Sequence, residues 1–358
     1  MHMPPPVHGA AVVGKQIYDS HLVRSTFDCV FLNPAASDNV EEIGHFSMKK
    51  LLAMGRFYRL VRRTLEQEKP QLVYITPSTW DWGFYRDCIT MWILKSHRCS
   101  VVAHFHNKPK LSFTRKWYNK WLYKRFFNQI DAIFLAAKLA DTFRGYIAPE
   151  RMHICPNGIP GLATEPIPVK HGTYTFLFVS NMMTEKGVDV LLDACALLKG
   201  MGLHFCCNFV GRWSDISEDD FVDRCSNLHV EDCVSALGAK YGQEKDACFA
   251  QADAFVFPTF YHGECLSLVV LEAMQHALPV ITTTEGALSE VVDDGKTGFL
   301  VAKKDSLHLA EKMRFLIEHP EMGREMGAKG LAKYKNEYTA DVFENRLCSI
   351  LYDCVQNY

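Results

Sequence analysis

DAFVFPTFYHGECLSLVVLEAMQHALPVITTT, residues 253–284, decides how this chain folds. The apolar run Ala254 to Pro258 reads as a buried parallel strand. Leu266 to His276 reads as a helix and Pro279 to Thr284 as a second strand, which completes a βαβ unit. Two carboxylates, Glu264 and Glu272, stand eight residues apart, one just before the helix and one two turns into it. Eight steps of about 100° leave them about 80° apart in azimuth, so both can line one rim at different depths. Between them, the backbone N–H groups of Cys265, Leu266, Ser267 and Leu268 sit at the helix N-terminus, where the dipole favours phosphate oxygens. Phosphate at the dipole with a carboxylate placed for sugar hydroxyls suits a nucleotide sugar. Spacing alone leaves the other reading open, a solvated Glu264 and a Glu272 on an ordinary helix face.

The segment resembles the E-x7-E signature of retaining glycosyltransferases, most closely the large family 4 (glycosyl transferases group 1) with the two-domain GT-B fold. The residues that carry the likeness are Glu264, Leu271-Glu272-Ala273-Met274 and Pro279-Val280-Ile281. The family's glycines after the first Glu are replaced by Cys265 and Ser267, which are small enough for a diphosphate to approach the backbone.

Composition is that of an ordinary globular protein, with 48% hydrophobic and 22% charged residues in 358, long enough for two domains. The thirteen cysteines are scattered without a C-x-x-C pair, which favours buried free thiols in a reducing cytoplasm over disulfides or zinc. No signal-peptide pattern is seen and no apolar stretch approaches a bilayer span, so a cytoplasmic location is expected.

The net charge of −2 hides a division. Residues 1–158 carry 22 Lys/Arg against 12 Asp/Glu, and the remainder 17 against 29. The Pro- and Gly-containing stretch 159–172 lies at the break and reads as a linker. The expected organisation is an N-terminal domain (1–158), the linker (159–172), a nucleotide-sugar domain (173–338) and a C-terminal helix (339–358) that returns to the first domain, as the resemblance implies.

Strands and helices alternate in both halves. Expected strands are 28–34, 71–77, 100–107, 132–137 and 152–158, then 174–180, 204–211, 234–239, 254–259 and 279–284. Expected helices are 47–69, 82–97, 114–128 and 138–147, then 186–200, 216–226, 244–251 and 266–276, with three more near 306–318, 320–336 and 339–355. Such alternation predicts an α/β protein of two doubly wound, Rossmann-like domains, with ligands in the crevice beyond the strand C-termini and the site between the domains.

Further motifs extend the resemblance. After the strand Tyr174–Val179 come Ser180-Asn181 and, after Met182–Glu185, Lys186-Gly187, where family members commonly have Gly-Arg and then Lys-Gly. Asn181 stands in the place of the Arg, which leaves the departing diphosphate to Lys186 with help from Asn181 and backbone amides, and Ser180 beside them is expected to bind donor. The opening Pro4-Pro5-Pro6-Val7-His8-Gly9 resembles the family's Pro- and Gly-containing loop, with Gly9 allowing close backbone approach. The strand that precedes that loop in the family is missing, and a shortened start is expected. In Val101–Asn107 a histidine ends the strand. His106 is preferred to His104 as the sugar contact, against the alternative of a histidine bonded to a carbonyl.

From Asn107 to Ile130 there are seven basic residues and no acid. Arg115, Lys116, Lys120 and Lys124 are interleaved with Trp117, Tyr118 and Trp121. Arg56, Arg59 and Arg63 line a second helix. Basic-aromatic helices suit an anionic membrane surface; a solvated positive face over a core helix is the plain alternative, and no nucleic-acid module is visible.

The resemblance implies a retaining, metal-independent enzyme that moves a sugar from a nucleotide diphosphate to an acceptor hydroxyl and needs no cofactor. Asp-x-Asp is absent, so no metal is expected at the site. Glu272 is expected to hold ribose and Glu264, Lys186 and His106 to serve catalysis. The basic face points to a lipid-linked saccharide in surface polysaccharide assembly, with the chain peripheral on the inner face of the plasma membrane. An epimerase-like sugar-nucleotide enzyme and a non-catalytic binding protein are the rivals.

Overall fold

Val101–Phe105 is buried on both faces, and the chain uses Ser100–Phe105 as an inner strand. The computed structural model describes residues 1, 3, 9–33, 48–162 and 172–356. It divides into two units, Met1–Asn157 with Asp341–Tyr358, and Gly158–Ala340.

In the first unit the helices are α1 (Gly9–Asp19), α2 (His21–Thr26), α3 (Met48–Glu68), α4 (Asp81–Ser96), α5 (Leu111–Thr114), α6 (Trp117–Phe127) and α7 (Ala137–Asp141). Strands β1 (Leu72–Ile75), β2 (Ser100–Phe105), β3 (Asp131–Phe134) and β4 (Met152–Ile154) form a parallel sheet in that order. Successive residues of a strand point to opposite faces, and the core divides accordingly. Val101, Ala103 and Phe105 join Phe84, Tyr123 and Phe127 on one side. Val102 joins Val13, Ile17, Phe343 and Leu347 on the other.

The second unit holds α8 (Val188–Gly200), α9 (Glu218–Leu228), α10 (Gly242–Ala250), α11 (Leu268–Gln275), α12 (Leu288–Val291), α13 (Ser306–Glu318) and α14 (Pro320–Glu337). Its strands are β5 (Tyr174–Val179), β6 (Phe205–Val210), β7 (Val234–Ala236), β8 (Ala254–Phe257), β9 (Val280–Thr283) and β10 (Gly298–Val301). They form one parallel sheet in the order β10-β9-β8-β5-β6-β7. The last helix, α15 (Ala340–Gln356), supplies Phe343, Leu347, Leu351 and Cys354 to the core of the first unit.

Four expectations are corrected. Residues 28–33 carry no strand: Val30 is 56% exposed, and the Met1 ammonium donates to the Leu32 carbonyl at 3.0 Å where a ladder was expected. Residues 142–147 are turn, so α7 is one turn long. β10 is not among the expected strands: it begins at Gly298, which lies so close to β9 that a Cβ there would meet the Val280 carbonyl oxygen at 2.0 Å. The first linker residues are packed: Tyr334 Oη donates to the Ile159 carbonyl at 3.1 Å and Gln275 Nε2 to that of Pro160 at 2.7 Å. The linker residues 163–171 and the loop residues Pro4–His8 lie outside the described residues.

Candidate functional site

In the second unit the strand order reverses between β5 and β8, which lie side by side. The crevice beyond the C-terminal ends of strands at such a reversal is where open α/β sheets bind ligands. The loop after β5 carries Ser180, Asn181 and Lys186. The loop after β8 carries Glu264, Cys265, Leu266 and Ser267.

Lys186 ends a short 3-10 turn, Thr184–Lys186, and is followed by Gly187 at φ +90°. Only glycine fits there. A Cβ would also meet the Pro258 carbonyl oxygen at 2.4 Å, which shows how closely the two loops approach. Phe260 N–H donates to the Glu185 carbonyl at 2.8 Å and locks that approach. Lys186 and Glu264, 78 positions apart, then meet at 2.5 Å. Both are largely buried, and the ammonium lies 4.6 Å from the Tyr261 ring centroid. Burial, followed by the charge of Glu264, raises the Tyr261 phenol above its ordinary range.

Glu264 is not on the helix. Its N–H donates to the Tyr261 carbonyl at 2.9 Å, and Ala287 N–H donates to the Cys265 carbonyl at 2.7 Å. Gly286, at φ +54°, packs against the Glu264 and Cys265 carbonyls. This wiring holds residues 264–267 outside the helix, with a bend at Cys265 and Leu266, and delays α11 to Leu268. Glu272 is therefore about one turn into the helix, not two, and the azimuth argument built on eight helical steps does not apply to Glu264. Ser267 is the N-cap but its side chain makes no capping bond. The dipole end of α11 is thus left to a ligand or to water.

Glu272 has its own lysine. Lys245 on α10 reaches Glu272 Oε1 at 2.7 Å, while Oε2 is buried and has no hydrogen-bond partner among the described residues. Burial holds the Glu272 carboxyl above the ordinary carboxylate range, with Lys245 pulling the other way. Beside it is a cavity of about 170 Å³ lined by Ser180, Asn181, Gly211, Arg212, Tyr241 and Lys245, among others. Gly211 closes that wall, since a Cβ there would overlap the Ser180 carbonyl oxygen at 1.6 Å. Asn181 is exposed and Ser180 half-buried. Lys245, Arg212 and Tyr241 escaped the sequence reading. A glycine directly after a strand end was a usable signal for Gly211, but a helical lysine gives none.

In the first unit, His104 is fully buried and its Nδ1 lies 2.7 Å from the Tyr74 hydroxyl. Burial, reinforced by His106, holds its imidazole well below the ordinary range. His104 is a core residue. His106 follows the end of β2, is partly exposed, and its ring centroid is 4.3 Å from that of His104. Gly9 is exposed at the start of α1 and faces open space.

On α6 and the turn before it, Arg115, Lys116, Lys120 and Lys124 are all exposed. Trp117 and Trp121 are exposed with them, at 80% and 55%, while Tyr123, Phe126 and Phe127 form the core side. Lys95 holds the end of α6 by donating to the Arg125, Phe126 and Asn128 carbonyls at 2.6, 3.0 and 2.7 Å. Burial lowers that ammonium to about 8.

Residues 164–333 match the family described as glycosyl transferases group 1, and residues 15–160 match glycosyltransferase family 4. An uncharacterized glycosyltransferase of Methanocaldococcus jannaschii is 25% identical over 321 residues, which is 88% of this chain and 85% of that protein. The capsular polysaccharide biosynthesis glycosyltransferase CapM of Staphylococcus aureus is 24% identical over 48% of this chain and 44% of its own length. Among solved structures, Anabaena HepE in complex with UDP superposes with a TM-score of 0.69 at 18% identity, covering 83% of this chain and 82% of that one. That likeness establishes the GT-B fold.

Proposed function

This chain belongs to the group 1 glycosyl transferases of GT-B fold, and we propose that it moves a sugar from a nucleotide diphosphate to an acceptor hydroxyl with the anomeric configuration retained. The observation that carries the reading is the convergence of Lys186 and Glu264 at the strand reversal, beside the uncapped start of α11. The diphosphate takes the amides of Leu266 and Ser267, just before α11, and of Leu268 at its start, and draws Lys186 away from Glu264. Glu264 is then free to receive sugar hydroxyls. Glu272 Oε2, buried without a partner, accepts ribose hydroxyls, and the cavity next to it receives the base. An unmet buried acceptor costs about 1–3 kcal/mol, which a bound hydroxyl restores.

In the reaction the bond from the sugar C1 to the diphosphate oxygen breaks. A bond from C1 to the acceptor oxygen forms on the same face, and the acceptor proton passes to a phosphate oxygen. Charge grows on the diphosphate as the bond breaks, so the Lys186 ammonium and the amides act most strongly at the transition state. These groups take the place of a divalent ion. His106 is retained as the sugar-contacting histidine.

The acceptor is a lipid-linked saccharide in surface polysaccharide assembly. The exposed basic and tryptophan side chains of α6, on a chain with no described helix long and apolar enough to cross a membrane, support peripheral contact with an anionic surface at the cytoplasmic face. Calorimetric titration with UDP and GDP tests the donor site: one equivalent of one of them binds wild type, and Glu272→Ala weakens it. A chain that binds neither is a decayed fold, and conversion of a nucleotide sugar without acceptor marks an epimerase.

A further inference from the structure

Asp131 opens β3, His153 is the middle residue of β4, and Cys354 lies in the last turn of α15. These three elements of the first unit bring an oxygen, a nitrogen and a sulfur donor together. His153 Nε2 stands 3.1 Å from Asp131 Oδ1 and 3.8 Å from Cys354 Sγ, and the ligand atoms of the three residues all lie within 4.8 Å of one another. Asp131 and Cys354 are buried, while His153 is partly exposed. The second carboxylate oxygen, Asp131 Oδ2, lies 3.4 Å from the Arg151 guanidinium and is thereby turned away from the cluster.

Zinc binds N and O at about 2.0 Å and S at about 2.3 Å, so tetrahedral donors sit about 3.3–3.7 Å apart. His153 stands 3.1 Å from Asp131 and 3.8 Å from Cys354, on either side of that range, and the Asp131–Cys354 pair lies within 4.8 Å. We propose that Asp131 Oδ1, His153 Nε2 and Cys354 Sγ hold one divalent transition-metal ion of the zinc class, with water in the fourth position, and that the ion fastens α15 to the sheet of its unit. A carboxylate and a thiolate balance the dication, which leaves the buried site neutral. The thiol proton departs to solvent as the sulfur–metal bond forms, so binding tightens as pH rises. Arg151 orients the carboxylate from behind, the position in which outer partners tune affinity about 10–100-fold.

Asp131 begins its strand, whereas His106 follows the C-terminal end of the neighbouring parallel strand. The cluster is therefore nearer the N-terminal ends of the strands than the residue proposed to meet substrate. Sequence spacing conceals it, because the ligands are 22 and 201 positions apart.

The test is titration of the full chain, stripped with EDTA and dialysed, with Co²⁺ and then Zn²⁺. One equivalent of Co²⁺ should give visible d–d bands and a near-ultraviolet thiolate-to-cobalt band, and Zn²⁺ should bleach both and raise the melting temperature. Cys354→Ser should lose the near-ultraviolet band, and Cys248→Ser should keep it. His153→Gln and Arg151→Met should each weaken Zn²⁺ by about 10-fold or more. Should Cys354→Ser not fold, His153→Gln decides, since its side chain is partly exposed. No cobalt band in wild type, an unchanged band in Cys354→Ser, or unchanged Zn²⁺ affinity in His153→Gln overturns the proposal.

Discussion

Lys186 Nζ and Glu264 Oε2 lie 2.5 Å apart although 78 residues separate them, because β5 and β8 are neighbours in the sheet. The pair is largely buried, so each partner is costly to leave alone. In the proposed reaction the pair keeps a cation and a carboxylate ready in the absence of donor, each neutralising the other until a diphosphate takes the cation.

The two carboxylates should separate in kinetics. Glu272→Ala should weaken nucleotide binding by about 1–3 kcal/mol through lost ribose bonds. Glu264→Ala should chiefly lower kcat. Calorimetry with the nucleotide and initial rates check this, and normal values for both variants would remove Glu264 and Glu272 from the site.

Lys186→Ala should lower kcat by on the order of 10²-fold with a smaller change in donor affinity. Wild-type rates should be the same with Mg²⁺ omitted. Strict dependence on Mg²⁺ contradicts the assignment of the diphosphate charge to Lys186 and the α11 amides.

The buried Glu272 carboxyl predicts a pH effect of definite sign. Its folded pKa is raised, chiefly by burial. The folded state therefore binds this proton more tightly than the unfolded chain does, and stability is lost as pH rises from the unfolded value through the folded pKa, then levels off. Glu272→Gln removes that cost. Its melting temperature relative to wild type should increase from pH 4 to pH 8, and a difference that stays flat or falls runs against the burial argument.

The basic-tryptophan face predicts salt-sensitive lipid binding. Each basic side chain near an anionic surface contributes about 1 kcal/mol, screened over about 8 Å at physiological ionic strength. The protein should sediment with anionic vesicles at low salt, ignore neutral ones and release as salt rises. Charge reversal at Arg115, Lys116, Lys120 and Lys124 should abolish sedimentation while sparing transfer to a short water-soluble acceptor. Wild type that ignores anionic vesicles makes a soluble acceptor the better reading.

The βαβ unit at 253–284 was legible because Ala254–Phe257 and Val280–Thr283 are continuous apolar or β-branched runs around a helical pattern. Lys186, Glu264 and Glu272 could each be singled out from motif and spacing. Their pairing could not, because it depends on β5 lying beside β8, and strand order is a tertiary choice. The start of α11 was misplaced for a similar reason: the Cys265 carbonyl accepts from Ala287 N–H and Gly286 packs against the Glu264 and Cys265 carbonyls, and both partners lie beyond the next strand. The apolar stretch at 28–33 misled the reading, since a strand needs a partner as well as a pattern. Lys245 was invisible until α10 and α11 were placed side by side.

The most direct measurement is the anomeric configuration of the product formed from an α-linked nucleotide sugar, read from the anomeric proton coupling by NMR. Purified protein is offered a panel of UDP- and GDP-linked hexoses with an acceptor extract. The account predicts that one donor is consumed only when acceptor is present and yields an α-linked product. A β-linked product, donor conversion without acceptor, or no consumption of any donor contradicts it.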